Sequence, residues 1–330
     1  MSPGAETTLG ISGCPGSGMA PTKIARLPTR MGTMVHGVCA RRAVLLHALP
    51  LALVQMRAAP SAAAAEPRYI DPLFGRLRNR YILLRPGQTT FEAADIVDSN
   101  PINKGGNERG LTQLGREQVI ASAREMQARG VDSPIIFFDN GARASQTADV
   151  LGRELTISRN RMEPEFRWLE ARGLGALDGS NLRLASKQLR ALDEQGVDSA
   201  AEEADDGTPS DSLNEVFVRL RNTVAKVETS YSGDDVVIIG GDATVLSVLA
   251  AAACAVDLKE HARFTLPPGG FFDLRELVAE VRAGRYRAAD VPPPSDAEVA
   301  AARMTLREMG PRLFSETAAG AWVLGPNVRR

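Results

Sequence analysis

Short apolar runs alternate with amphipathic stretches from residue 80 to about 275. "RYILLR" (80–85), "IIFFD" (135–139), "DVVIIG" (235–240) and "FFDLR" (271–275) have the character of buried strands. Between them, Thr112 is placed to cap a helix that runs to Gly130 and buries Val119, Ala123 and Met126. A helix after Gly141 carries Ala144, Ala148, Leu151 and Leu155 on one face, and another after Asp211 aligns Leu213, Val216, Phe217, Leu220, Val224 and Val227 in one stripe. This alternation predicts an α/β domain. The acidic, turn-rich stretch 193–211 reads as a flexible excursion. At 291–310 a proline stop precedes a helix capped at Ser295 or Asp296, so residues from 291 onward are expected to form a C-terminal extension.

The first 65 residues follow different rules. Residues 1–40 are rich in Ser, Thr and Gly with scattered arginines, the composition of an organelle transit peptide. Arg41-Arg42 then precede a twelve-residue apolar run, Ala43 to Val54, too short to span a bilayer as a helix, and Ala63-Ala64-Ala65 offer a cleavage site. Twin arginines before a weak apolar run resemble a twin-arginine export signal, and the two parts together resemble the bipartite targeting segment of a chloroplast thylakoid-lumen protein. Translation from Met31 or Met34 would make the same stretch a bacterial signal for export to the periplasm. The expected organisation is a removed segment 1–65, a domain at 66–290 and the extension 291–330.

Charge sharpens this division. Residues 1–65 hold six Lys/Arg and one acid, leaving 66–330 with 33 basic and 39 acidic residues, a net of −6. Such a body argues against nucleic acid or an anionic membrane as the main partner. Of the three cysteines only Cys254 lies beyond the targeting segment, so no intrachain disulfide framework is expected, and its apolar helix makes it a packing residue. No cluster with metal-ligand spacing occurs outside the acidic run 202–206, and neither metal nor cofactor is expected.

Five segments carry candidate chemistry, in order: Arg85-x-Gly87-Gln88-Thr89, "GLTQLGREQ" (110–118), "ARASQTADVLG" (142–152), "LEARGLGALDG" (169–179) and "VVIIGGDATVLSVLAA" (236–251). Together they resemble the histidine phosphatase superfamily, which includes cofactor-dependent phosphoglycerate mutases. That resemblance implies a three-layer sandwich with a mostly parallel central sheet flanked by helices. It also implies a phosphate cradle from Arg85 and Arg143, with Thr89 nearby. In the family, one imidazole attacks phosphorus, a second stabilises the transferring group, and a carboxylic acid protonates the leaving oxygen.

At those positions this sequence has Pro86, Gly240 and Ala171, with Glu170 adjacent to the last. A one-residue slip at Gly240 brings in Gly241, not a histidine. The chain's histidines are His36, His47 and His261; the first two lie in the targeting segment, and His261 reads as a surface or packing residue. The expectation is a catalytically inactive binding or scaffold module. Its two arginines are neutralised by a phosphate or carboxylate ligand, or internally by Asp139 or Asp242. Its partner would be that ligand or a lumenal protein. The alternative is a phosphomonoesterase that uses Glu170, Asp139 or Asp242 in place of histidine.

Overall fold

The computed structural model describes residues 73–290 and 292–309 and two short strands, 314–316 and 322–324. The targeting segment expected at 1–65 lies outside the described residues. Five strands form one sheet in the order β3-β2-β4-β1-β5: β1 (Arg80–Leu84), β2 (Ile135–Asp139), β3 (Met162–Glu165), β4 (Asp235–Ile239) and β5 (Phe271–Asp273). β1, β2, β3 and β4 run parallel, with Tyr81 beside Val236 and Ile135 on its other side, while β5 runs antiparallel along β1.

Because successive side chains of a strand point to opposite faces, the apolar runs feed two cores at once. Tyr81, Leu83, Phe137, Val236 and Ile238 pack with α5 (Leu213–Ser230) and α6 (Ala243–Ala253). Ile82, Leu84, Ile136, Val237 and Ile239 pack with α2 (Gln113–Ala128) and α3 (Ala142–Glu154). The result is the expected three-layer α/β sandwich. Thr112 caps α2 as its sequence indicates, accepting from the Gly115 amide.

Local chemistry moves several boundaries. The run read as a strand to 275 ends at Asp273, whose carboxylate accepts from the Arg275 amide and starts α7 (Leu274–Arg282). β3 went unread because it contains Pro164, and it sits at the sheet edge, where a missing amide donor is tolerated. α4 (Leu182–Gln195) also went unread, although Leu182, Ala185, Leu189 and Leu192 recur at helical spacing; Ala185 is buried, and Leu182 and Leu189 pack beside it.

The reading of 193–211 as a flexible excursion is corrected. Asp193 and Thr208 are buried, the Gly175 amide donates to the Pro209 carbonyl, the Ala176 amide donates to the Glu202 carbonyl, and Leu174 bridges to Ser210. Backbone hydrogen bonds tether this segment, and composition does not reveal them. The expected extension begins with a helix that docks on the domain. α8 (Asp296–Met309) lays Leu306 and Ala302 against Phe91, Ala94 and Ile96, residues in or just after α1 (Thr90–Ala93). β6 (Phe314–Glu316) and β7 (Trp322–Leu324) pair antiparallel.

Candidate active site

The C-terminal ends of β1, β2 and β4, three neighbouring strands, release the loops that hold the candidate residues, as expected where strand order reverses in an open α/β sheet. At the end of β1 the loop lies against the start of α2. A Cβ on Gly87 would sit 2.1 Å from the Gly115 carbonyl oxygen, and one on Gly115 would sit 2.2 Å from the Gln88 oxygen. Glycine at both positions allows the two backbones to meet.

Arg85 precedes this contact. Its guanidinium pairs with Glu92 Oε1 at 2.9 Å and donates to the Leu266 carbonyl. Pro86 is buried, and its carbonyl accepts from the Gly269 amide at 3.0 Å. Thr89 is engaged as the N-cap of α1: its hydroxyl accepts from the Glu92 amide while Glu92 Oε2 accepts from the Thr89 amide. Glu92 therefore closes a capping box with one oxygen and neutralises Arg85 with the other. The Thr-x-x-Glu spacing was visible in the sequence, although the second role was not.

Arg143 lies in the first turn of α3. It donates to the Asp98 carbonyl at 2.8 Å and stands 3.7 Å from that residue's carboxylate. The same carboxylate pairs with Arg109, whose side chain is 4% exposed and lies over the Phe91 ring. Burial first, and neighbouring Arg143 after it, bring the Arg109 pKa down to about 10 against the pull of Asp178. Asp98 thus stands between two arginines.

The internal partners expected for the arginines have other engagements. Asp139 contacts Lys104 at 3.3 Å and accepts from the Gly141 amide, with Arg143 contributing only its field. Burial pushes the Asp139 carboxyl above its ordinary range, and Lys104 opposes the shift. Lys104 also reaches Glu170 at 2.5 Å. Asp242 caps α6 through the Val245 amide and accepts from the Arg172 amide. Gly241 meets the segment that ends at Ala171, where an added Cβ would lie 2.2 Å from the Ala171 nitrogen.

A cavity of about 200 Å³ opens here. It brings together Asp139, Arg143, Glu170 and Ala171, and adds Lys104, Arg167 and Arg219, which sequence reasoning missed. Arg85, Pro86, Thr89, Gly240 and Asp242 do not line it. His261 is also absent: it is buried, with Nδ1 2.8 Å from Ser247 Oγ and Nε2 3.1 Å from Asp193 Oδ2. Asp193 in turn pairs with the fully buried Arg172, so the imidazole belongs to a packing network.

The profile of the histidine phosphatase superfamily (branch 1) matches residues 81–276, from β1 into the start of α7. The chain belongs to that superfamily. Among solved structures it is similar to "Mycobacterial hydrolase 1", at 21% identity over 58% of this chain and 89% of that one, with a TM-score of 0.46. It is also similar to a mycobacterial glucosyl-3-phosphoglycerate phosphatase in complex with VO3 (21% identity, 58% and 89% coverage, TM-score 0.45). A third is a putative alpha-ribazole-5'-P phosphatase from Escherichia coli (15% identity, 58% and 88% coverage, TM-score 0.43). No curated protein matches. The matched segment ends at residue 276, so α8, the helix that packs beside α1, lies outside it.

Proposed function

We propose that this chain is a catalytically silent histidine phosphatase-like protein that acts as a binding module. One observation carries the reading: the residue after β1 is Pro86, and the arginine before it is already neutralised by Glu92 at 2.9 Å. A prolyl nitrogen is an amide without a donor or a usable lone pair, so it cannot attack phosphorus. An arginine paired in the chain must shed that partner before it grips a phosphoryl group. The remaining imidazole among the described residues, His261, is outside the cavity.

The test is hydrolysis of a chromogenic phosphomonoester by wild type and Arg143→Ala, with a parallel search for radiolabel transferred from a phospho-donor. Neither turnover nor label is expected. A robust rate lost with Arg143 would rule for an enzyme. That second reading, a phosphomonoesterase built on carboxylates, draws on Asp139, whose raised pKa beside Glu170 and Arg143 suits a proton donor. It predicts that Asp139→Asn abolishes whatever rate exists.

The same proposal places the protein in the thylakoid lumen, or in a bacterial periplasm by the shorter start, on the strength of Arg41-Arg42 and Ala63-Ala64-Ala65. Residues 1–65 fused to a fluorescent reporter should carry it there, and Arg41→Lys with Arg42→Lys should stop it. Its partner would be a small anionic ligand or a protein of that compartment.

A further inference from the structure

We infer that the anion site of this chain has moved: the cavity binds a small hydroxy-carboxylate through Arg167 and Arg219, without Arg85. The inference rests on reading the cavity as a binding site, and it names the ligand class.

The cations divide into engaged and available groups. Arg85 is outside the cavity and held by Glu92. Arg143 and Arg109 share Asp98. Lys104 is occupied by Asp139 and Glu170. Arg167, exposed at the cavity wall, has no side-chain partner among the described residues. Arg219 pairs with Asp211 at 2.9 Å, yet its Nε is buried with no hydrogen-bond partner. A buried donor left unmet marks a position where an acceptor belongs. Arg219 also donates, at 3.4 Å, to the carbonyls of Arg167 and Glu170, so one side chain ties the free guanidinium to the acidic wall.

Charge selects the class. Four cations line the cavity, Lys104, Arg143, Arg167 and Arg219, against three acids, Asp139, Glu170 and Asp211, and Arg167 is the lining cation without an ion pair. A single carboxylate balances that excess, and its two oxygens suit a guanidinium fork. A phosphate dianion would overshoot it beside Glu170 and Asp139. Glu170 holds Lys104 through Oε1, which leaves Oε2 able to accept from a ligand hydroxyl.

Calorimetric titration of the full chain with gluconate, acetate and inorganic phosphate tests the assignment. Gluconate should bind more tightly than acetate, which lacks hydroxyls, and more tightly than phosphate. Arg167→Gln and Arg219→Gln should each weaken gluconate about tenfold or more, as expected for loss of a charged hydrogen bond. Arg85→Gln should leave it within about twofold. Arg167 has no partner to lose, so its variant keeps the test decisive if Arg219→Gln fails to fold. The assignment is overturned if phosphate binds best, if gluconate does not bind, or if affinity follows Arg85 instead of Arg167. Phosphomonoester turnover would sink the silent reading alone, whereas inert protein that ignores gluconate would sink only this one.

Discussion

Asp98 carries more than a surface acid does. Its side chain is 5% exposed and faces Arg109 and Arg143; without it Arg143 loses its ion pair and buried Arg109 keeps only Glu108, at 3.8 Å. Asp98→Asn should therefore destabilise the fold by about 3 kcal/mol or more, read from the urea midpoint. Glu92→Gln should cost less, because that pair is nearer solvent and glutamine can still close the capping box. Asp139 gives the opposite sign. Its folded pKa is raised, so the native state keeps this proton to higher pH than the unfolded chain, and ionising it opposes folding. The penalty is complete above the folded pKa and vanishes below the ordinary value of 3.8. Asp139→Asn should then melt higher than wild type at neutral pH, with the gap closing as pH falls through that window. A gap that widens on acidification would mean the Lys104 contact outweighs burial.

Elements were legible where a pattern of burial repeats. β1, β2, β4, α2, α3 and α5 each present a run or stripe of apolar side chains, and each formed where that run or stripe lies. β3 buries too little to leave that signature, α4 carries its stripe of Leu182, Ala185, Leu189 and Leu192 and was missed all the same, and 193–211 is held by backbone bonds that no side chain announces. The site divides the same way. Arg85, Gly87, Gly115 and Arg143 could be placed because fixed geometry demands those residue types. Glu92, Asp98 and Lys104 could not, because their pairing is decided by how 92–109 folds over α3, a segment without periodicity. The Gly87–Gly115 approach tests the fixed part. Gly115→Ala would drive a methyl to 2.2 Å from a backbone oxygen, which cannot swing away, so the loop after β1 must separate from α2. A loss of about 3 kcal/mol is expected. At Gly130 a Cβ meets nothing and φ is +76°, so Gly130→Ala should cost only about 1 kcal/mol by thermal melting.

For the molecule as a whole, the proposed silence is tested by placing the family's side chains at positions 86, 171 and 240. Pro86→His keeps the carbonyl that accepts from Gly269, so the loop can retain its course. Gly240→His places a Cβ 3.1 Å from a Val245 methyl and 3.2 Å from Leu246, contacts that side chains can relieve by a few tenths of an ångström. Ala171→Glu adds the acid at the edge of the cavity. These three changes supply a nucleophile, a stabiliser and a proton donor, yet Arg85 would still be held by Glu92 and by the Leu266 carbonyl. The helix that carries Glu92 is pinned from outside by α8, through Leu306 against Phe91 and through Arg303 to the Ala94 carbonyl. Charge neutralisation of the transferring group is among the largest contributions to catalysis, so an occupied arginine leaves the rebuilt triad without its clamp. The triple variant should accordingly hydrolyse a chromogenic phosphomonoester no faster than wild type. Adding Glu92→Gln should raise the rate about a hundredfold above the triple variant, with label appearing on the new residue at 86. If the triple variant is already active, Glu92 does not mask Arg85, and the silence proposed for the natural chain would rest on positions 86, 171 and 240 alone.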